Sequence, residues 1–227
     1  MTEQSTTGAV NEGQSSAQPS RAGLASAQSP GAGLRPAQRA RYMRIIASAE
    51  ELAAEGGYDA VQMRAVADRS GVALGTVYRY FPSKNHLLVV ALVLEFERAA
   101  ESIAAAEIPG DSAAERLMGV LRGVLPRLSE NPLRYDALVR AAMFADASSA
   151  PELDRLGDVL TLLFAQAAGI DIVTEEVLNA VRIIADVWMS SLVAWVAGRY
   201  GVDDVLAHMD TAVTLVFERL NARQRAG

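Results

Sequence analysis

From Pro36 onward, apolar residues return every three or four positions, and nowhere do they alternate. Tyr42, Ile45, Ile46, Ala49, Leu52 and Ala53 set this period over 36–55, and Gly56-Gly57 closes the helix. Gln62 to Ser70 forms a short helix: Val66 faces inward with Ala65 and Ala67, while Arg64, Asp68 and Arg69 face water. Gly71 stands where a helix ends in a left-handed residue, a conformation glycine adopts without steric penalty. Val72 plugs the angle, a second short helix begins near Leu74, and Pro82 stops it. Tyr58 and Val61 are expected to pack beneath this pair.

A long helix follows from Asn85 to about Ala106, with Leu88, Leu92, Phe96 and Ala99 or Ala100 on one stripe. Pro109-Gly110-Asp111 ends the linker. The next helix, 112–129, carries Leu117, Val120 or Leu121, Val124 and Leu128, with Pro126 kinking it near its end. Asn131-Pro132 restarts a helix to Asp146. Ser149 reads as an N-cap, with Pro151 early and Glu152 in the first turn of a helix to Ala168. Thr174 opens a long helix to Arg199, Gly201 breaks it, and Val202 to about Arg223 is the last. The pattern predicts an all-α chain of about nine helices. Residues 1–35 are Ser, Thr, Gln, Gly, Ala and Pro with few bulky apolar groups, so a disordered tail is expected there.

Charge divides the chain. The net charge is −6, yet residues 35–84 hold eight basic side chains against five acidic ones, and residues 85–227 hold twelve against twenty. A basic head on an acidic body is the asymmetry expected if only the head meets phosphate. Two short helices joined by a tight turn with a glycine form a helix-turn-helix, whose second helix enters the major groove. The motif spans 62–81 within a head of 36–84. On the second helix, Gly75 lets backbone approach a partner from the start at Leu74. Thr76, Tyr78 and Tyr80 offer hydroxyls to phosphates or base edges, and Arg79 can fork onto guanine or grip a phosphate. Arg44 and Arg64 are further candidates, as is Gln62, which stands where a better cap would be Ser or Thr. Lys84, the only lysine, is a point charge for the backbone. The bland alternative is a solvated helix with two core tyrosines.

The body, 85–227, is rich in large apolar side chains. Phe96, Met118, Leu121, Met143, Phe144, Phe164, Trp188 and Trp195 suit the wall of a hollow for a rigid apolar ligand, or plain core. Arg140 with Asp136, and Arg182 with Asp186, have i,i+4 spacing; they are ion pairs, or one arginine meets an acidic ligand group. The last two helices carry more apolar surface than one domain need hide. The apolar stretch 187–198 is about a dozen residues, whereas a membrane span needs about twenty, so a buried helix is expected and no membrane.

Gly-Thr-Val-Tyr-Arg-Tyr-Phe-Pro-Ser-Lys (75–84) followed by the apolar run 87–96 resembles the signature of the TetR family of bacterial repressors, the match covering 39–99. The wider chain, through 56–84, 131–148 and 183–195, looks similar to the actinobacterial branch that represses cholesterol and steroid breakdown. The resemblance implies a helix-turn-helix head and a helical ligand-binding and dimerisation body. It implies a homodimer, paired through the last two helices, that reads a palindromic double-stranded operator with half-sites a turn or more apart. It also implies release by a steroid acid or its acyl-CoA thioester. A paralogue tuned to efflux or fatty-acid metabolism, or an interaction module with a vestigial motif, stays open.

The chain has no cysteine and two histidines, His86 and His208, far apart in sequence. No Walker loop, Gly-x-Ser-x-Gly or His-Glu-x-x-His occurs. No enzyme, metal site or cofactor is expected. The N-terminus lacks the apolar core of a signal peptide, which makes the cytoplasm the expected location.

Overall fold

The computed structural model describes residues 29–170 and 174–226. Among these the chain is all-α. Nine α-helices run as α1 Pro36–Ala60, α2 Met63–Ser70, α3 Leu74–Tyr80, α4 Lys84–Ala104, α5 Ala113–Ser129, α6 Pro132–Met143, α7 Ala150–Ala167, α8 Glu175–Val196 and α9 Val202–Ala226, with one 3-10 turn at Ala147–Ser149. The apolar spacing places most of them to within a residue or two.

Several ends differ from expectation, each for a local reason. Residues 1–28 of the expected tail lie outside the described residues. Residues 29–34 form a turn: Ala32 N donates to Ser29 O at 2.8 Å, and Leu34 packs on the core. α1 loses helical dihedrals at Gly56 and Gly57, as the two glycines predict. α6 stops at Met143 rather than Asp146, because the Asp146 carboxylate accepts from Ser148 N and starts the 3-10 turn instead. Ser149 precedes α7, but its hydroxyl caps nothing. α8 ends at Val196 because Gly198, not Gly201, takes the left-handed conformation at φ +69°, letting its N–H and that of Arg199 close onto Trp195 and Ala194 carbonyls.

α4 is the axis of the molecule. Its residues 87–93 are all buried, because α1, α6 and α7 pack around it. The head side of this core holds Tyr42, whose ring stacks on Phe81 at 4.7 Å. The body side holds Trp188, edge-on to Phe164 at 6.2 Å. α8 lies between α9, α7 and α6. The whole of α8 is 22 residues long, and by length and composition it could cross a membrane. Its Val181, Ile184, Ala185, Trp188 and Leu192 are instead buried against neighbouring helices, and Arg182 bonds to Asp158 of α7 at 3.1 Å. That cross-helix bond replaces the expected Arg182–Asp186 pair. Ile183 of α8 and Leu215 of α9 remain 54 % and 63 % exposed.

Candidate DNA-binding face and effector cavity

The head presents α3 on a firm base. Gly71 adopts φ +65° at the end of α2, and Val72 N donates to Ala67 O at 3.1 Å, which turns the chain into α3. Val77 is fully buried and anchors α3 from beneath. Leu74, Gly75, Tyr78 and Arg79 are therefore exposed together, since positions four apart share a face. Thr76 is half-buried at its edge. Arg44 of α1, Gln62 at the N-cap of α2 and Arg64 of α2 are exposed and make no ion pair or side-chain hydrogen bond among the described residues. Arg69 is different: both its terminal nitrogens bond to Glu55, at 2.7 and 2.8 Å, and tie α2 to α1.

One expected contact is corrected. The Tyr80 hydroxyl is buried without a partner among the described residues, and its ring stands edge-on to Tyr42 at 5.7 Å. A buried hydroxyl offers nothing to a phosphate, so Tyr80 supports the head from inside. Lys84 is half-buried, with Nζ 3.6 Å from the centroid of the Tyr58 ring and donating to Tyr58 O at 3.3 Å.

In the body, a cavity of about 270 Å³ lies between α6, α7 and α8. Val139, Met143, Leu156, Ala185, Met189 and Val193 give it apolar walls, and Asp186 is its charged residue. Met143 is thus the expected wall residue that lines it. Phe96, Met118, Leu121, Phe164 and Trp188 are buried in the continuous core and Trp195 packs against it. Phe144 is corrected: at 62 % exposure it lies outside the body core, because the chain leaves α6 at that residue. Arg140 is exposed and makes the i,i+4 ion pair with Asp136, at 2.9 Å, that its spacing predicts. Asp136 holds its guanidinium charge more firmly than usual.

The residues that sequence spacing missed join head to body. Arg134 of α6 donates to Glu50 of α1 at 2.8 Å and to Glu95 of α4 at 2.9 Å. Tyr135 OH donates to Glu95 at 2.8 Å. Burial pushes the Glu95 carboxyl up, but its bonds from Arg134 outweigh this and hold it below the usual range. Burial and the Glu95 charge push the Tyr135 phenol up to about 12. Asn85 accepts from Tyr58 OH at 2.5 Å and donates to Phe144 O at 2.8 Å.

This architecture has known counterparts. Residues 45–91 match the family model described as bacterial regulatory proteins, tetR family, and 110–216 match the tetracyclin repressor-like C-terminal domain. A Rhodococcus jostii protein named HTH-type transcriptional repressor KstR is 46 % identical over 79 % of this chain and 84 % of its own. The chain belongs to the TetR family of transcriptional regulators. A Mycobacterium tuberculosis protein of the same name is 43 % identical over 79 % of this chain and 82 % of its own. A TetR transcriptional regulator from Rhodococcus sp. RHA1 superposes with a TM-score of 0.72 at 32 % identity, covering 79 % of this chain and 97 % of that one. Thermus thermophilus FadR in complex with lauroyl-CoA shares the fold, with a TM-score of 0.62 at 19 % identity over 78 % and 93 % of the two chains. Membership makes the chain a DNA-binding regulator rather than an enzyme, as the absence of catalytic motifs predicts.

Proposed function

We propose that this regulator represses genes of steroid or related lipid breakdown, and leaves its operator when an apolar acid or acyl-CoA enters the α6–α7–α8 cavity. The observation that carries the reading is the identity of 43–46 % to repressors named KstR over four-fifths of the chain. The exposed Arg44, Arg64 and Arg79, which make no ion pair among the described residues, supply with Gln62, Leu74, Gly75, Thr76 and Tyr78 a face for the major groove and its flanking phosphates. Arg64 or Arg79 forking a guanine is worth about 1–3 kcal/mol of base discrimination. A homodimer through α8 and α9 covers Ile183 and Leu215 and sets two copies of α3 on a palindrome. It acts in the cytoplasm, without cofactor or metal.

The effector reading rests on the cavity. Ligand pockets typically measure ~300–1,000 Å³, so a site of about 270 Å³ must widen to take a steroid-sized body. Its movable wall is the end of α6, through Val139 and Met143. The acyl-CoA of FadR lies in the same fold, which supports a thioester as one effector form. Asp186 at this site disfavours an anionic group beside it, so the acidic or CoA end of the ligand points away. Ala185→Phe fills the cavity from α8. The variant is expected to bind operator as wild type does and to ignore a steroid acyl-CoA. Release of both proteins alike places the effector elsewhere. Ser191 is unsuitable for this test: it is buried and bonded to Val187 O and to His208 of α9, facing away from the cavity.

A further inference from the structure

The reading helix turns apolar groups outward. α3 carries no acidic residue, and its one charged side chain, Arg79, stands in its last turn. Its first turn, Leu74, Gly75 and Thr76, has a single hydrogen-bonding side chain, Thr76, and that one is half-buried. Val77 is buried completely, whereas Leu74 is 38 % exposed and Tyr78, one turn on, is 49 % exposed. A lone apolar residue on a protein surface needs no explanation. Leu74 stands elsewhere: it heads the helix whose first residues meet base edges when a helix-turn-helix docks. Gly75 adds a second sign. It lies inside the helix without a positive φ, and a Cβ built on it would meet no atom within 4 Å. Neither backbone conformation nor packing within the chain calls for glycine there, and glycine weakens a helix relative to alanine. What it supplies is room for a partner, so that the first turn approaches the groove floor and carries Leu74 with it.

We propose that Leu74 reads the C5-methyl group of a thymine in each operator half-site. The inference rests on the DNA-binding reading given above. A leucine side chain has no donor or acceptor, so it cannot pair with a base edge. Among the four bases, thymine alone presents a methyl group in the major groove. Packing leucine on that methyl removes apolar surface of both partners from water. Cytosine places its N4 amine at the groove edge instead, and adenine its N6 amine. Covering either with leucine withdraws a donor from water and gives it no acceptor. Leu74 thus selects thymine by contact and rejects the other two by desolvation, the two halves of specificity.

The test uses the full chain and a duplex that wild type selects from a random-sequence pool. Selected half-sites should share a thymine. Exchanging it for uracil deletes the methyl group and keeps every hydrogen-bonding group. Binding should weaken about fourfold for one half-site and about fifteenfold for both, from the burial of one methyl each. At the same position 5-methylcytosine should bind about fourfold more tightly than cytosine. Leu74→Ala should bind the thymine and uracil duplexes equally. Leu74→Met, which keeps an apolar side chain of similar size, should retain the uracil penalty. A wild type indifferent to uracil at every thymine overturns the readout. So does a Leu74→Ala variant that keeps the full penalty, since another group then meets the methyl. A pool that yields no shared sequence is a different failure: it overturns sequence-specific DNA binding itself, and salt-dependent binding to all duplexes alike would display it.

Discussion

Replacing Arg134 by methionine removes the hub that joins α1, α4 and α6. Its guanidinium serves Glu50 and Glu95 at 2.8 and 2.9 Å. Its loss leaves two carboxylates, 15 % and 26 % exposed, sharing the half-exposed Arg98 at 3.1 and 3.0 Å. Breaking a fully buried pair costs ~3–5 kcal/mol, and breaking an exposed pair ~0–1 kcal/mol. Partial burial and the surviving Arg98 place this case between them, at about 2–3 kcal/mol. For a domain of this size each kcal/mol lowers Tm by ~2–4 °C, so Arg134→Met should melt about 4–12 °C below wild type by calorimetry or circular dichroism. Adding Glu50→Gln and Glu95→Gln removes the uncompensated charge and should restore more than half of that loss. A drop under about 1 °C, or no recovery in the triple variant, would show that the network is solvated and that head and body are held together by apolar packing alone.

Glu95→Gln should flatten acid unfolding. The Glu95 carboxyl is held below its ordinary value, so it contributes stability that is present above the unfolded pKa of about 4.3 and lost as pH falls through the lower folded value. Wild-type urea midpoints should fall more steeply than those of the variant below about pH 5, and parallel curves would contradict the assignment. Gly71→Ala should cost about 1–2 kcal/mol from its left-handed backbone alone, since no atom lies within 4 Å of an added Cβ; Gly71→Asn should recover most of it, and equal losses in chemical denaturation would point to crowding instead. Ile183→Glu should give a monomer in sedimentation with lost operator binding, whereas a stable dimer would move the interface off α8.

Most of the fold was legible because helical periodicity is a local signal. Val66 and Val72 announce the helix-turn-helix core, and Gly71 marks its corner. What stayed hidden depends on partners far away in sequence. Spacing along one helix suggested Asp186 for Arg182, but the nearer carboxylate is Asp158 on α7. Nothing near Arg134 in sequence identifies Glu50 or Glu95. Tyr80 looks like its exposed neighbour Tyr78 until α1 brings Tyr42 against it. Phe144 and Met143 read as wall residues because both are large apolar side chains of the body, and α6 was expected to run on to Asp146. Once the helix stops at Met143, Met143 still reaches the cavity and Phe144 turns outward. Gly198 and Gly201 are both plausible breakers, and only the backbone closing onto Ala194 and Trp195 separates them.

The most direct test is fluorescence anisotropy with a duplex from the region upstream of the protein's own gene, titrated across salt concentrations with and without a steroid acyl-CoA. The account predicts tight binding by the dimer, an affinity that falls steeply and log-linearly with salt, and a further weakening by the acyl-CoA of ~5–150-fold, the range of typical allosteric coupling. Salt-independent binding, or an affinity the acyl-CoA leaves unchanged while it demonstrably occupies the protein, would contradict it.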